Sequence, residues 1–124
     1  MPLTGTESIL VVDDEKILAG LAQDILKMAG FSVTVTLNGE EALQELQNNH
    51  YDLLFTDIIM PRMNGYELVR KSRQILPDLK ILLTSGYTLN QEQADIDQVL
   101  LDNVLAKPYG DKKLVSAIRQ CLDE

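Results

Sequence analysis

The sequence predicts an α/β fold: a doubly wound, five-stranded parallel sheet with five helices. Two observations carry this reading. Short apolar runs alternate five times with helical segments along the chain, which is how successive βα units read. The runs at 9–12, 53–56 and 81–84 are continuous rather than alternating, as strands buried on both faces are. A length of 124 residues suits one domain, here residues 1–124 with an ordered core of about 7–123.

Each element follows in order. Ile9-Leu10-Val11-Val12 forms the first strand, and Asp13-Asp14 stops it. Ile17, Leu18, Leu21, Ala22, Ile25 and Leu26 recur at helical spacing. Gly30 closes that helix, since glycine tolerates the left-handed turn beyond a helix end. Phe31 to Thr36 alternates as a half-covered edge strand would. Asn38 then offers an N-cap, with Glu41 three residues on, and Ala42, Leu43 and Leu46 carry the second helix to Asn48-Asn49. Leu53-Leu54-Phe55-Thr56 is the third strand, ended by Asp57. Pro61, Asn64 and Gly65 mark a loop. Tyr66, Leu68, Val69 and Ile75 give the third helix, closed by Pro77. Ile81-Leu82-Leu83-Thr84 leads to Ser85-Gly86 as the fourth strand, and a weakly periodic fourth helix spans 89–101. Val104-Leu105-Ala106 is a short fifth strand before Lys107-Pro108, and Leu114, Val115, Ile118 and Leu122 make the last helix.

Composition excludes several classes. With 11 basic and 19 acidic residues the formal net charge is -8. That argues against direct nucleic-acid binding, whose affinity comes from Lys and Arg. No apolar run approaches the roughly 18 residues of a membrane helix. The first residues lack the basic start and apolar stretch of a signal peptide. One cysteine, Cys121, leaves no internal disulfide and no cysteine-built zinc site. A cytoplasmic setting is expected.

The polar residues are not scattered. Asp13 and Asp14 follow the first strand, Asp57 the third, Ser85 the fourth and Lys107 the fifth. Open α/β sheets bind ligands at that carboxyl edge, where strand order reverses. If the order is 2-1-3-4-5, the first and third strands are neighbours and the three acids share one pocket. Their repulsion calls for a cation. Oxygen ligands without His or Cys suit a hard ion, and an open coordination sphere suits Mg²⁺ better than a closed Ca²⁺ cage. Lys107 adds a point charge and Ser85 a hydroxyl. Together these parts suit phosphoryl transfer onto a carboxylate.

Plainer readings exist for each residue. Asp13-Asp14 could cap the first helix, and Asp57 could open the Pro61 to Gly65 turn. Lys107 could be a solvated loop lysine, and Ser85-Gly86 a simple turn. The coincidence of all five at strand ends favours the site. His50 beside Asn48-Asn49 and Cys121 on the last helix are given no role.

The residues also carry a resemblance. The runs Leu10-Val11-Val12-Asp13-Asp14-Glu15, Asp57-Ile58-Ile59-Met60-Pro61-Arg62-Met63-Asn64-Gly65, Thr84-Ser85-Gly86-Tyr87 and Lys107-Pro108-Tyr109 stand in order and at compatible spacing. In this the chain resembles the receiver domains of two-component response regulators, with their flavodoxin-like strand order. The resemblance implies a phosphoacceptor module rather than a turnover enzyme, one that assists its own phosphorylation and loses the group slowly. Asp57 would accept the phosphoryl group from a histidine kinase or histidine phosphotransfer protein. Asp14 would hold Mg²⁺ directly, Asp13 largely through water, and the backbone carbonyl of Ile59 would add a ligand. Lys107 would pair with the phosphoryl group, Pro108 would follow a cis bond, and Ser85 would be the switch hydroxyl. Val104 departs from the family, which often places an aromatic residue there. A smaller aliphatic switch, or movement of the fourth helix, is expected instead. Ile59 and Tyr87 flank the site without an acid or amide to orient water, hence the slow hydrolysis. The Ser85-Gly86-Tyr87 and Lys107-Pro108-Tyr109 runs are similar to receivers of hybrid histidine kinases, so a stand-alone regulator and part of a longer phosphorelay chain both remain open.

Three other functions compete. A nucleotide or flavin binder needs a Gly/Ser/Thr loop after the first strand, where Asp13-Asp14-Glu15 would repel phosphate. A Mg²⁺-dependent phosphatase needs a second acid near Asp57, where Ile58 and Ile59 stand. A fold kept only for docking has no use for the acid set and its lysine.

Overall fold

In the computed structural model, which describes residues 5–86 and 103–124, five parallel strands lie in the order β2-β1-β3-β4-β5. The strands are β1 (Ser8–Val12), β2 (Ser32–Thr36), β3 (Leu53–Asp57), β4 (Lys80–Ser85) and β5 (Leu105–Ala106). The helices among the described residues are α1 (Lys16–Met28), α2 (Gly39–Asn48), α3 (Gly65–Ile75) and α4 (Asp111–Asp123). There are four of them, not five: the helix expected over 89–101 lies outside the described residues.

Strand alternation divides the core into two layers. Leu10, Val12, Leu54, Ile81 and Leu83 pack on one face with Ala42 and Leu46 of α2 and Leu68 and Val69 of α3. Ile9, Val11, Leu53, Phe55 and Leu82 pack on the other with Ala22 and Leu26 of α1 and Leu114 and Ile118 of α4. Burial on both faces is why β1 and β3 contain no alternation. Val104, expected inside the fifth strand, packs against the first layer, and the ladder begins one residue later at Leu105.

The ends of the helices follow local chemistry. Phe31 N–H donates to Leu26 O and Gly30 N–H to Lys27 O, closing α1 in a Schellman motif. That motif needs the left-handed backbone of Gly30, whose φ is +100°. Asn38 Oδ1 accepts from Glu41 N–H at 2.9 Å, and Asn64 Oδ1 from Glu67 N–H at 3.0 Å, so both helices start at a side-chain cap.

The register sets the site. Val12 pairs with Thr56, Asp57 with Thr84, and Ser85 with Ala106. All the strand ends therefore finish level, and the residues just beyond them meet.

Candidate functional site

Asp13 leaves β1 with its N–H donating to Thr36 O at 3.2 Å. Its Oδ1 accepts from Glu15 N–H at 2.9 Å. Glu15 is the N-cap residue of α1 and contributes no side-chain cap of its own. The other oxygen, Oδ2, stands 3.0 Å from Lys107 Nζ. Asp13 therefore holds the turn that leads into α1 without capping the helix, and keeps its other oxygen for Lys107.

Asp57 ends β3, and the next residue, Ile58, donates its N–H to Thr84 O at 3.0 Å. The loop then turns through Pro61 and through Arg62 at φ 68°. It is pinned from α3: Gly65 N–H donates to Ile58 O at 2.8 Å. A Cβ on Gly65 would lie 2.5 Å from Asp57 O and 2.8 Å from Ile58 Cα, so only glycine lets the helix approach the backbone of Asp57 so closely.

Lys107 follows β5, tied by its N–H to Ser85 O at 3.0 Å, and the Lys107–Pro108 peptide is cis. Its Nζ lies 3.0 Å from Asp57 Oδ2 and 3.0 Å from Asp13 Oδ2, with Glu15 Oε1 at 3.9 Å. The Asp13, Asp57 and Lys107 side chains are 4%, 5% and 10% exposed, a burial at which charges must be paired. Asp14 is exposed. Ser85 is buried at the end of β4 beside this group. The neighbouring Thr84 hydroxyl donates instead to Leu105 O at 2.7 Å and is committed to the sheet.

The electrostatics follow from this packing. Burial raises the Asp57 carboxyl above its ordinary range, against the lowering effect of Lys107, and the charge of Asp13 adds to the rise. Burial alone would lower Lys107, but its hydrogen bonds to Asp13 and Asp57 and their charges outweigh it and hold the ammonium above its usual value. The cluster therefore holds Lys107 charged and leaves Asp57 with unmet demand for a cation.

Asp13, Asp14 and Asp57 each bring one carboxylate oxygen within 4.8 Å of the others. Three carboxylate oxygens this close, with no His or Cys among them, fit one hard cation. The cluster opens into a cleft of about 550 Å³ lined by Asp14, Glu15, Leu18, Leu21, Ile59 and Tyr109, among others. Ile59 is 52% exposed.

Sequence reasoning overlooked three contributors. Glu15 stands near Lys107, a role signalled only by its place in the Asp13-Asp14-Glu15 run. Tyr109 sets its ring edge-on to Phe55 with centroids 5.8 Å apart. Burial and the charge of Asp13 push its phenol up to about 12. Gly65 was legible as a loop marker but not as the contact that fixes Asp57. Tyr87, expected beside the site, lies outside the described residues.

Fold and cleft together define a βα sheet protein with an acid cluster and one lysine at its carboxyl edge. A family profile described as the response regulator receiver domain matches residues 9–119, and the chain belongs to that family. It is 37% identical over 114 residues to the response regulator receiver protein CpdR of Brucella abortus (strain 2308), covering 92% of this chain and 95% of that one. It is 37% identical over 119 residues to the transcriptional regulatory protein CpxR of Escherichia coli (strain K12), covering 92% of this chain but 48% of the relative. The chain thus spans about half the length of CpxR. Among solved structures it resembles a CheY-like receiver domain protein of Methanospirillum hungatei JF-1 (TM-score 0.84, 27% identity, 96% and 95% of the two chains). It also resembles the chemotaxis response regulator CheY4 of Vibrio cholerae (TM-score 0.83, 25% identity, 94% and 99%). No helix among the described residues is long and apolar enough to cross a membrane.

Proposed function

We propose that the chain, as one domain in the cytoplasm, accepts a phosphoryl group from a phosphohistidine donor onto Asp57. The donor's N–P bond breaks with its electron pair returning to nitrogen and an Oδ–P bond forms, yielding an acyl phosphate; the donor ring, protonated on its other nitrogen beforehand, leaves as neutral imidazole. The observation that carries this reading is Lys107 Nζ, buried at 3.0 Å from both Asp57 and Asp13. A fixed cation beside a carboxylate nucleophile neutralises charge that builds on the transferring oxygens.

The remaining residues fit around it. Asp14, Asp57 and the Ile59 carbonyl would hold Mg²⁺, with Asp13 bonded through water. When bound, that ion relieves the repulsion of the acids and screens the incoming phosphoryl group. The Ser85 hydroxyl would donate to a phosphoryl oxygen, and Thr84, already bonded to Leu105 O, would not. Leu18, Leu21 and Ile59 give the cleft an apolar rim on which a protein donor, a histidine kinase or phosphotransfer protein, could seat. No acid or amide side chain stands at Ile59 to orient a hydrolytic water, which supports a long-lived acyl phosphate. Phosphorylation would then shift the chain between two conformations read by a partner or linked domain. The test is the mass of the protein after incubation with Mg²⁺ and a small phosphodonor.

A further inference from the structure

The cleft above Asp57 has three zones. Its floor is charged: Lys107 Nζ stands 3.0 Å from both Asp57 Oδ2 and Asp13 Oδ2, and all three side chains are nearly buried. Its walls are apolar, formed by Leu18 and Leu21 of α1, Ile59 and Tyr109. Its mouth is acidic, because Asp14 and Glu15 line the same cleft and both are exposed. The reading above uses the floor and the walls and gives Asp14 to the metal ion. Glu15 has no task in it.

Glu15 is fixed by its backbone and reaches out with its side chain. Its N–H donates to Asp13 Oδ1 at 2.9 Å, and its carbonyl accepts from Ala19 N–H at 2.9 Å. The side chain is 61% exposed, and Oε1 lies 3.9 Å from Lys107 Nζ, beyond hydrogen-bond reach. Lys107 spends its close contacts on Asp13 and Asp57. Because Glu15 and Asp57 flank one ammonium, the two carboxylates stand no further apart than a phosphoryl group and a five-membered ring extend.

A donor that fits all three zones has an anionic head, a flat body and a tail that carries a cationic N–H. Phosphohistidine has these parts when its ring is protonated on the nitrogen away from phosphorus, the form that leaves as neutral imidazole. A carboxylate facing that N–H stabilises this form, since a hydrogen bond between opposite charges is stronger than a neutral one. An acyl phosphate has the anionic head without the N–H, and the same carboxylate repels it.

We propose that Glu15 selects the phosphoryl donor: its carboxylate accepts the N–H of the phosphoimidazole ring while Asp57 takes the phosphoryl group. The inference rests on the phosphoacceptor reading above. The proton stays on its ring nitrogen throughout. The N–P bond breaks with its electron pair returning to the other nitrogen, and the new O–P bond forms at Asp57.

The test is Glu15→Gln, which keeps the length of the side chain and removes its charge. Uptake by both proteins is followed by intact mass with two donors, monophosphoimidazole and acetyl phosphate, in saturating Mg²⁺. The readout is the ratio of the two second-order rates. It should fall about three- to fivefold in the variant, the scale of one partly exposed charge pair, with the acetyl phosphate rate rising as repulsion is removed. A change in Mg²⁺ affinity or in the folded fraction acts on both donors alike and cancels in the ratio. An unchanged ratio would overturn the assignment. The wild type separates the two claims. If it takes up a group from neither donor, the phosphoacceptor reading falls and the selection with it. If it takes up one group from each and the ratio is the same in the variant, only the selection by Glu15 falls.

Discussion

Among the described residues, two charged clusters, each with one cation between two acids, stand at opposite edges of the sheet. At the carboxyl edge Lys107 sits between Asp13 and Asp57, all nearly buried. Beyond the amino edge Arg119 of α4 bonds Glu7 and Asp123, with side chains 21%, 29% and 62% exposed. Arg119 also lies over the Phe31 ring at 6.0 Å. The consequences are opposite. The hydrogen bonds from Arg119 pull Glu7 below its ordinary value, whereas burial pushes Asp57 above its own. A forked guanidinium near water satisfies its acids. A buried ammonium shared by two carboxylates, with a third close by, leaves charge uncompensated. The first cluster ties the chain before β1 to the last helix. The lysine cluster keeps an excess of negative charge, which only a further cation can offset.

The sharpest way to break this contrast is at the buried cation. Lys107→Met should slow phosphoryl uptake from a small donor by on the order of 100-fold, since a preorganised charge at the transferring group is lost. Uptake rates followed by mass would check it, and an unchanged rate would remove Lys107 from the chemistry. Next is Asp13→Asn. An acid that reaches the ion through water should change Mg²⁺ affinity by about 10- to 100-fold, read by calorimetric titration. A loss far beyond that range would make Asp13 a direct ligand.

A smaller and more direct comparison sets the two clusters against each other in stability, with Mg²⁺ chelated. At pH 7 Asp57→Asn should stabilise the protein and Glu7→Gln should destabilise it by about 1 kcal/mol, the scale of a partly exposed ion pair. The signs follow from linkage. The folded pKa of Asp57 is raised, so its ionised form costs stability at neutral pH. That cost vanishes as pH falls through the raised value. The folded pKa of Glu7 lies below 4.5, so its contribution is present above 4.5 and is lost as pH falls through the folded value. Both differences should therefore shrink in acid. Denaturant titrations across pH check this, and a destabilised Asp57→Asn at pH 7 would remove the contrast.

Much of this was legible in the sequence because burial writes itself into strands. Continuous runs such as Leu53-Leu54-Phe55 occur where both faces are covered, and a polar residue directly after such a run stands at the sheet edge. The order β2-β1-β3-β4-β5 then brings Asp13, Asp57, Ser85 and Lys107 together. What stayed hidden depends on three-dimensional approach. Nothing in spacing says that Gly65 touches the backbone of Asp57, that Asp13 divides its two oxygens between the turn into α1 and Lys107, or that Arg119 reaches Glu7 across 112 positions.

The central claim is that Asp57 is the phosphoacceptor. Intact-mass measurement after incubation with Mg²⁺ and a small phosphodonor tests it most directly. The account predicts one added phosphoryl group on the wild type and none on Asp57→Asn. The same added group on Asp57→Asn, or none on the wild type with Mg²⁺ in excess, would contradict it.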